Sequence, residues 1–158
     1  MDDVIFGNSC VSGWVYTQMG KVYNNPFIWH YFQDGMDYIK VCKNFDYYLN
    51  QEPILISEDL KDGRYPYHPK ISKDYPIMKL GDVNVHFIHH TDGDEVVDKY
   101  LRRRDRLTEY NLIPVAWDTE LKTQDVIDQF KLLDNAILVS GAKVQVDAAK
   151  MIVKAYNG

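Results

Sequence analysis

Apolar residues fall in short runs separated by glycine, proline and acidic turns, and their spacing changes from run to run. Val4 to Phe6 is a continuous apolar triplet closed by Gly7, which predicts a strand. The small polar stretch Gly7 to Gly13 predicts a loop at that strand's end. Trp14 to Gly20 predicts a short helix stopped by its glycine. Pro26 has no amide hydrogen to donate, so Asn25-Pro26 predicts a turn. Met36, Ile39 and Tyr47 recur at helical spacing, with Phe45 and Leu49 beside them, and predict one helix from Gly35 to Asn50.

The second half alternates more regularly. Pro53 to Ser57 predicts a strand. Leu60 to Pro76, punctuated by Pro66, Pro69 and Pro76, predicts a loop or irregular hairpin. Val83 to His90 alternates and is rich in β-branched and aromatic residues, so a strand is expected. Gly93 to Tyr110 carries a helical stripe, with Asp92 or Asp94 as cap and acids in its first turn. Leu112 to Trp117 and Ala136 to Gly141 predict strands. A Thr123-capped helix runs to Leu133, and a last helix covers Val144 to Tyr156. Strand and helix thus take turns over 1–158. That order predicts a single α/β domain, a layered fold with a largely parallel sheet flanked by helices. Ligands in such folds bind outside the carboxyl ends of strands. Two polar loops belong there: Gly7 to Gly13 and His89 to Asp94.

Composition narrows the partners. The net charge of −5 excludes a protein built to coat nucleic acid. Against that acidic background, Arg102, Arg103, Arg104 and Arg106 form a local cluster. Two cysteines, Cys10 and Cys42, do not make a disulfide framework. The opening residues lack the pattern of a signal peptide, and no stretch approaches the roughly 20 apolar residues of a membrane span. A cytoplasmic protein without a transmembrane segment is expected.

Four stretches carry candidate chemistry. In a strand, His86 and His90 share one face and His89 takes the other. A zinc site needs three or four converging ligands, and no second ligand cluster accompanies the histidines, so no metal site is assigned. Asp92-Gly93-Asp94 reads either as a capping turn or as an Asp-x-Asp pair holding a divalent cation and a sugar nucleotide. Arg103 and Arg106 lie one turn apart, with Tyr100 nearby. Arginine forks bind phosphate or carboxylate bidentately; the bland alternative is a solvated face paired with Asp98, Asp105 and Glu109. Ser9, Cys10 and Ser12 are nucleophile candidates, and a strand-loop-helix junction also presents amides to an anion. The bland alternative there is tight packing, with Cys10 a small buried residue.

Taken in order, "FGNSCVSGWVYTQMGKVYNNPF", "YIKVCKNFDYYL", "YPIMKLGDVNVHFIHH" and "KYLRRRDRLTEYNL" resemble a bacterial family of exopolysaccharide biosynthesis proteins whose domain has no established function. The resemblance spans most of Asp3 to Phe130. Asn8, Cys10, Gly13, Tyr23, Asn24, Pro26, Phe27, His89, Arg103 and Arg106 match its pattern. Tyr100 stands where that family usually has tryptophan, His90 where it has tyrosine, and the chain is shorter than typical members. The Asp-Gly-Asp turn is not part of the pattern. The resemblance implies an α/β fold and a setting in surface-glycan synthesis.

These readings combine into an expectation of a glycosyltransferase-like enzyme using a phosphate-bearing activated donor and a glycan acceptor. Arg103 and Arg106 would hold donor phosphate. His89 or His90 would act as general base. The Asn8 to Gly13 loop, with Ser9, Tyr23, Asn24 and Tyr100, would line the substrate site. Manganese or magnesium would accompany a sugar nucleotide if the acidic turn binds metal. The alternatives are an acyltransferase acting on a glycan, with Ser9 or Cys10 as nucleophile, and a non-catalytic module that binds a glycan or a protein, its tyrosines suited to stacking.

Overall fold

The structure is a computed structural model that describes residues 1–56 and 74–158. Most of the loop expected between Leu60 and Pro76 lies outside the described residues. Strands β1 (Asp2–Gly7), β5 (Tyr110–Trp117) and β6 (Ile137–Val139) form a parallel sheet in the order β1-β5-β6. Strands β2 (Ile54–Ile56), β3 (Ile77–Leu80) and β4 (Val83–His86) form a separate antiparallel sheet. The α/β fold is as expected. The parallel arrangement holds for one sheet, while the second is a meander whose strands are consecutive in sequence.

Helices α1 (Val11–Met19) and α7 (Gln145–Asn157) pack together on one face of the parallel sheet. Ile5, Val115 and Trp117 point into that layer. Val4, Phe6 and Ala116 point to the opposite face, because successive strand residues alternate sides. There they meet α2 (Gly35–Lys43), α3 (Phe45–Leu49), α4 (Gly93–Asp105), α6 (Gln124–Lys131) and the antiparallel sheet. A single turn, α5 (Asp118–Leu121), leaves the end of β5.

Four expectations need correction. The loop expected from Gly7 to Gly13 ends at Cys10, and Val11, Ser12 and Gly13 open α1, the helix predicted to begin at Trp14. The helix predicted from Gly35 to Asn50 is two helices, broken at Asn44 (φ −137, ψ 53). The strand predicted to His90 stops at His86, where its ladder with β3 runs out at Ile77. The alternating-face argument for His86, His89 and His90 therefore does not apply. Lastly, α4 ends at Asp105, with Arg106 as its cap, rather than continuing to Tyr110.

A crossing segment also links the two sheets through backbone hydrogen bonds. Tyr31 and His86 exchange backbone hydrogen bonds of 2.7 and 2.8 Å. The neighbouring Phe32 amide donates to the Asn8 carbonyl at 2.9 Å. His30 to Phe32 thus bridges the carboxyl end of β1 to the end of β4.

Candidate functional site

The parallel sheet separates the expected site residues into two regions. At its amino end, a cavity of about 390 Å³ is lined by Tyr23, Asn24, Arg103, Arg106, Asp2 and Glu109 among others. Tyr23 and Asn24 arrive on the connection that follows α1. The arginines arrive from the last turn of α4 and its cap. Asn24 is fixed by three bonds: its Oδ1 accepts from Tyr16 Oη at 2.5 Å and from Asn25 Nδ2 at 3.4 Å, and its Nδ2 donates to the Asp3 carbonyl at 2.9 Å. An adjoining depression of about 220 Å³ is lined by Lys99, Arg102, Arg103 and Arg106.

Four cations share this surface, but they are not equivalent. Lys99 pairs with Glu95 at 2.7 Å and Arg102 with Asp98 at 3.2 Å. Arg103 and Arg106 have no ion-pair partner among the described residues. Burial, then the neighbouring Arg102 and Arg106, lowers the pKa of Arg103. That destabilisation of a cation is relieved by an anion. Tyr100 does not belong to this surface. It is buried in the core, and its hydroxyl donates to the Leu49 carbonyl at 3.0 Å, which removes it from the substrate-binding set.

His89 lines neither depression. It lies edge-on to Trp29 (6.4 Å between ring centres), which lies edge-on in turn to Tyr23 (6.3 Å) and to Trp14 (5.5 Å). Trp29 is therefore the link between His89 and the arginine cavity. It adopts φ 57, a left-handed conformation uncommon for a tryptophan. Gly13 makes room for it, since a Cβ there would stand 2.9 Å from the indole ring. Burial lowers the pKa of His89. Burial, then Lys99 and His89, lowers that of His90, whose ring packs against Phe87.

The carboxyl end of the sheet holds the second region. The Ser9 hydroxyl donates to Glu120 Oε2 at 2.5 Å and accepts from the Val11 amide at 3.4 Å. Glu120 comes from α5 and also accepts, through Oε1, from the Trp117 amide at 3.4 Å. Glu120 keeps part of its surface in solvent, but its carboxyl is turned inward onto these partners. Burial pushes that carboxyl up to about 7, against the lowering effect of the Ser9 and Trp117 hydrogen bonds. Burial and the charge of Glu120 together push the Cys10 thiol up to about 12, so Cys10 is protonated at neutral pH. Its sulfur lies 3.8 Å from the His30 carbonyl. A thiol in that state is a poor nucleophile, which weighs against the catalytic assignment of Cys10.

His30 is fully buried among Phe6, Phe27 and Phe32. Its Nε2 donates to the Gly7 carbonyl at 2.7 Å, which leaves Nδ1 as the acceptor. Burial drops its pKa to about 4, so the ring is neutral. Asn8 is also buried and donates through Nδ2 to the Phe32 carbonyl at 3.4 Å. His86, buried too, bonds through Nδ1 to Tyr75 Oη at 2.6 Å. Among the described residues, no group of three or more His, Cys, Asp or Glu side chains is placed to hold a metal. Asp92 serves as the cap of α4, accepting from the Glu95 amide at 3.2 Å. Cys10 and Cys42 are both free thiols.

Glu120 and Trp29 are the participants the sequence did not disclose. Glu120 lies in a plain Trp-Asp-Thr-Glu-Leu stretch, 111 positions from the serine it binds. The glycine at position 13 was the only trace of Trp29's close approach.

These features define an α/β protein with a parallel sheet, a strand-end carboxylate–serine pair and a separate arginine-lined cavity. The chain belongs to the family described as a domain of unknown function (DUF1919), which it matches over residues 2–156. It is also similar to an uncharacterized protein of Haemophilus influenzae, 25% identical over 129 residues, covering 82% of this chain and 56% of that protein. The chain thus spans little more than half the length of that relative. Among the described residues, no helix is long and apolar enough to cross a membrane.

Proposed function

We propose that this chain is a surface-glycan biosynthesis domain with glycosyltransferase-like chemistry, acting on a phosphate-bearing activated donor. The surface-glycan setting comes from the family resemblance of the four sequence segments. The observation that carries the donor class is the pair Arg103 and Arg106, free of ion pairs among the described residues and lining one cavity of about 390 Å³. That volume is within the range of small-ligand sites. Guanidinium forks bind phosphate oxygens bidentately and stabilise the charge that develops on a departing phosphate.

The acceptor hydroxyl must lose a proton to a group within hydrogen-bond reach. Asp2 and Glu109 are the carboxylates of that cavity. The base role therefore passes to one of them from His89 and His90. Trp29 and Tyr23 lead away from the cavity towards His89 and suit stacking against sugar rings. His89 then contacts the acceptor glycan rather than the reacting bond.

Titration calorimetry with nucleotide-sugars, nucleoside diphosphates and short acidic oligosaccharides tests this reading. Arg103→Ala and Arg106→Ala are each expected to weaken donor binding roughly 10- to 100-fold, the loss of one charge-assisted contact. The aromatic row favours a second reading, a non-catalytic module that stacks an anionic glycan. Oligosaccharide binding that needs Trp29, with no affinity for any activated donor, would establish that reading and end the transferase proposal.

A further inference from the structure

The geometry points to a second reactive centre at the carboxyl edge of the parallel sheet, in which Ser9 is an acyl-accepting nucleophile and Glu120 its general base. Its substrate class is an acyl ester or thioester, and its acceptor a hydroxyl of a sugar or of water. This centre does not rest on the donor cavity, which opens at the opposite end of the sheet.

Four observations converge on it. The Ser9 hydroxyl already donates to Glu120 Oε2 at 2.5 Å, the contact a base must make before it removes a proton. Ser9 also sits two residues before the first residue of α1, a nine-residue helix whose Val11 amide reaches Ser9 Oγ at 3.4 Å. Such amides stabilise the oxyanion of a tetrahedral intermediate. The location, outside the ends of β1 and β5, is where parallel sheets place their ligands.

The fourth observation is strain. Lys122, two residues past Glu120, has φ 66 and ψ −43, and the Thr123 amide donates across it to the Leu121 carbonyl at 2.7 Å. That is a γ-turn of the rare positive-φ form. A lysine gains nothing from this conformation locally. The turn sets its ammonium 2.6 Å from Tyr31 Oη, on the segment that bridges the two sheets. A fixed cation at this edge attracts the developing negative charge of a leaving group.

The step balances without a co-reactant. Ser9 Oγ bonds to the acyl carbon as its proton passes to Glu120. The carbon–oxygen or carbon–sulfur bond to the leaving group breaks, and the departing alkoxide or thiolate takes that proton. The incoming hydroxyl oxygen then bonds to the acyl carbon and loses its proton to Glu120, the acyl carbon–Oγ bond breaks, and that proton passes to the departing Oγ to restore Ser9. The protonated Cys10 takes no part.

The test is covalent labelling of the 158-residue chain with a fluorophosphonate, located by peptide mass spectrometry. The expected result is one adduct on Ser9. Its rate should rise with pH through about 7, as Glu120 ionises. Ser9→Ala should abolish the adduct, and Glu120→Gln should slow it roughly 100-fold or more. Circular dichroism melts establish that each variant is folded. If Glu120→Gln does not fold, the pH profile of the wild-type adduct decides. Absence of a Ser9 adduct on the folded chain would overturn the proposal, as would a rate flat between about pH 5.5 and 8.5. Labelling that persists where no nucleotide-sugar binds would leave this centre standing and the donor reading alone in failure.

Discussion

At the scale of single residues, two buried groups give opposite pH slopes. The carboxyl of Glu120 is raised from 4.5 to about 7 by burial, so the folded state holds a proton the unfolded state has released. Stability from this group is full below about 4.5 and is lost as pH rises to about 7. His30 is lowered from 6.5 to about 4, so its contribution is lost as pH falls from 6.5 to about 4. Between about 4.5 and 6.5 the two slopes oppose each other. Glu120→Gln should uncover the His30 slope, giving urea midpoints that climb across that window. Above pH 7 the variant should exceed the wild type by up to roughly 3 kcal/mol. A variant whose pH profile parallels the wild type would mean that the Glu120 carboxyl is not shifted by burial. Tyr16 offers a second check. Its hydroxyl accepts from the Ile5 amide and Asn25 Nδ2, both at 3.0 Å, and donates to Asn24. Tyr16→Phe leaves the buried Ile5 amide unpaired and should cost about 1–3 kcal/mol in denaturant titration.

Among elements, α1 depends on a missing side chain. Gly13→Ala would press a methyl group into the Trp29 indole, at a cost of about 1–3 kcal/mol for overpacking. The displaced Trp29 should also weaken oligosaccharide binding, readable by calorimetry. Asp92→Ala removes the cap of α4 and should cost about 1 kcal/mol, while donor affinity stays unchanged because Asp92 does not line the arginine cavity. Caps of this kind were legible in the sequence, as Asp92 and Thr123 both show. The split at Asn44 was not, because α2 and α3 bury their apolar faces in the same core and their periodicity runs smoothly across the break. The early end of β4 was hidden for a related reason. Phe87 and Ile88 remain buried after pairing stops, so an apolar run continued where the ladder did not. The arginine cavity was half legible, through helical spacing that brought Arg103 and Arg106 to one surface. The Ser9–Glu120 pair was illegible, since nothing local ties two residues of separate strand ends.

For the whole molecule, the parallel sheet keeps the two candidate sites apart. β1 has six residues, or about 16–20 Å at strand rise, so the arginine cavity and the serine–glutamate pair lie beyond direct contact. Substitutions at the two ends should therefore add: Arg103→Ala should leave serine labelling unchanged, and Ser9→Ala should leave donor affinity unchanged. The local cation cluster on a chain of net charge −5 sets a further expectation. Raising salt from about 50 to 200 mM should weaken a diphosphate donor while a neutral oligosaccharide is unaffected, because exposed charges are screened over about a Debye length. Equal salt sensitivity for both ligands would argue that the arginines are not the binding contacts.

The pairing of Asp2 with Tyr110 carries a consequence in time. During synthesis the first strand emerges with its apolar residues and no neighbour to cover them. Its partner follows more than a hundred residues later, a delay on the order of 5–20 s at ordinary translation speeds. Val4, Ile5 and Phe6 then form an uncovered strand edge on the nascent chain. Ribosomes stalled before β5 should release aggregation-prone fragments, whereas a stall after β6 should not.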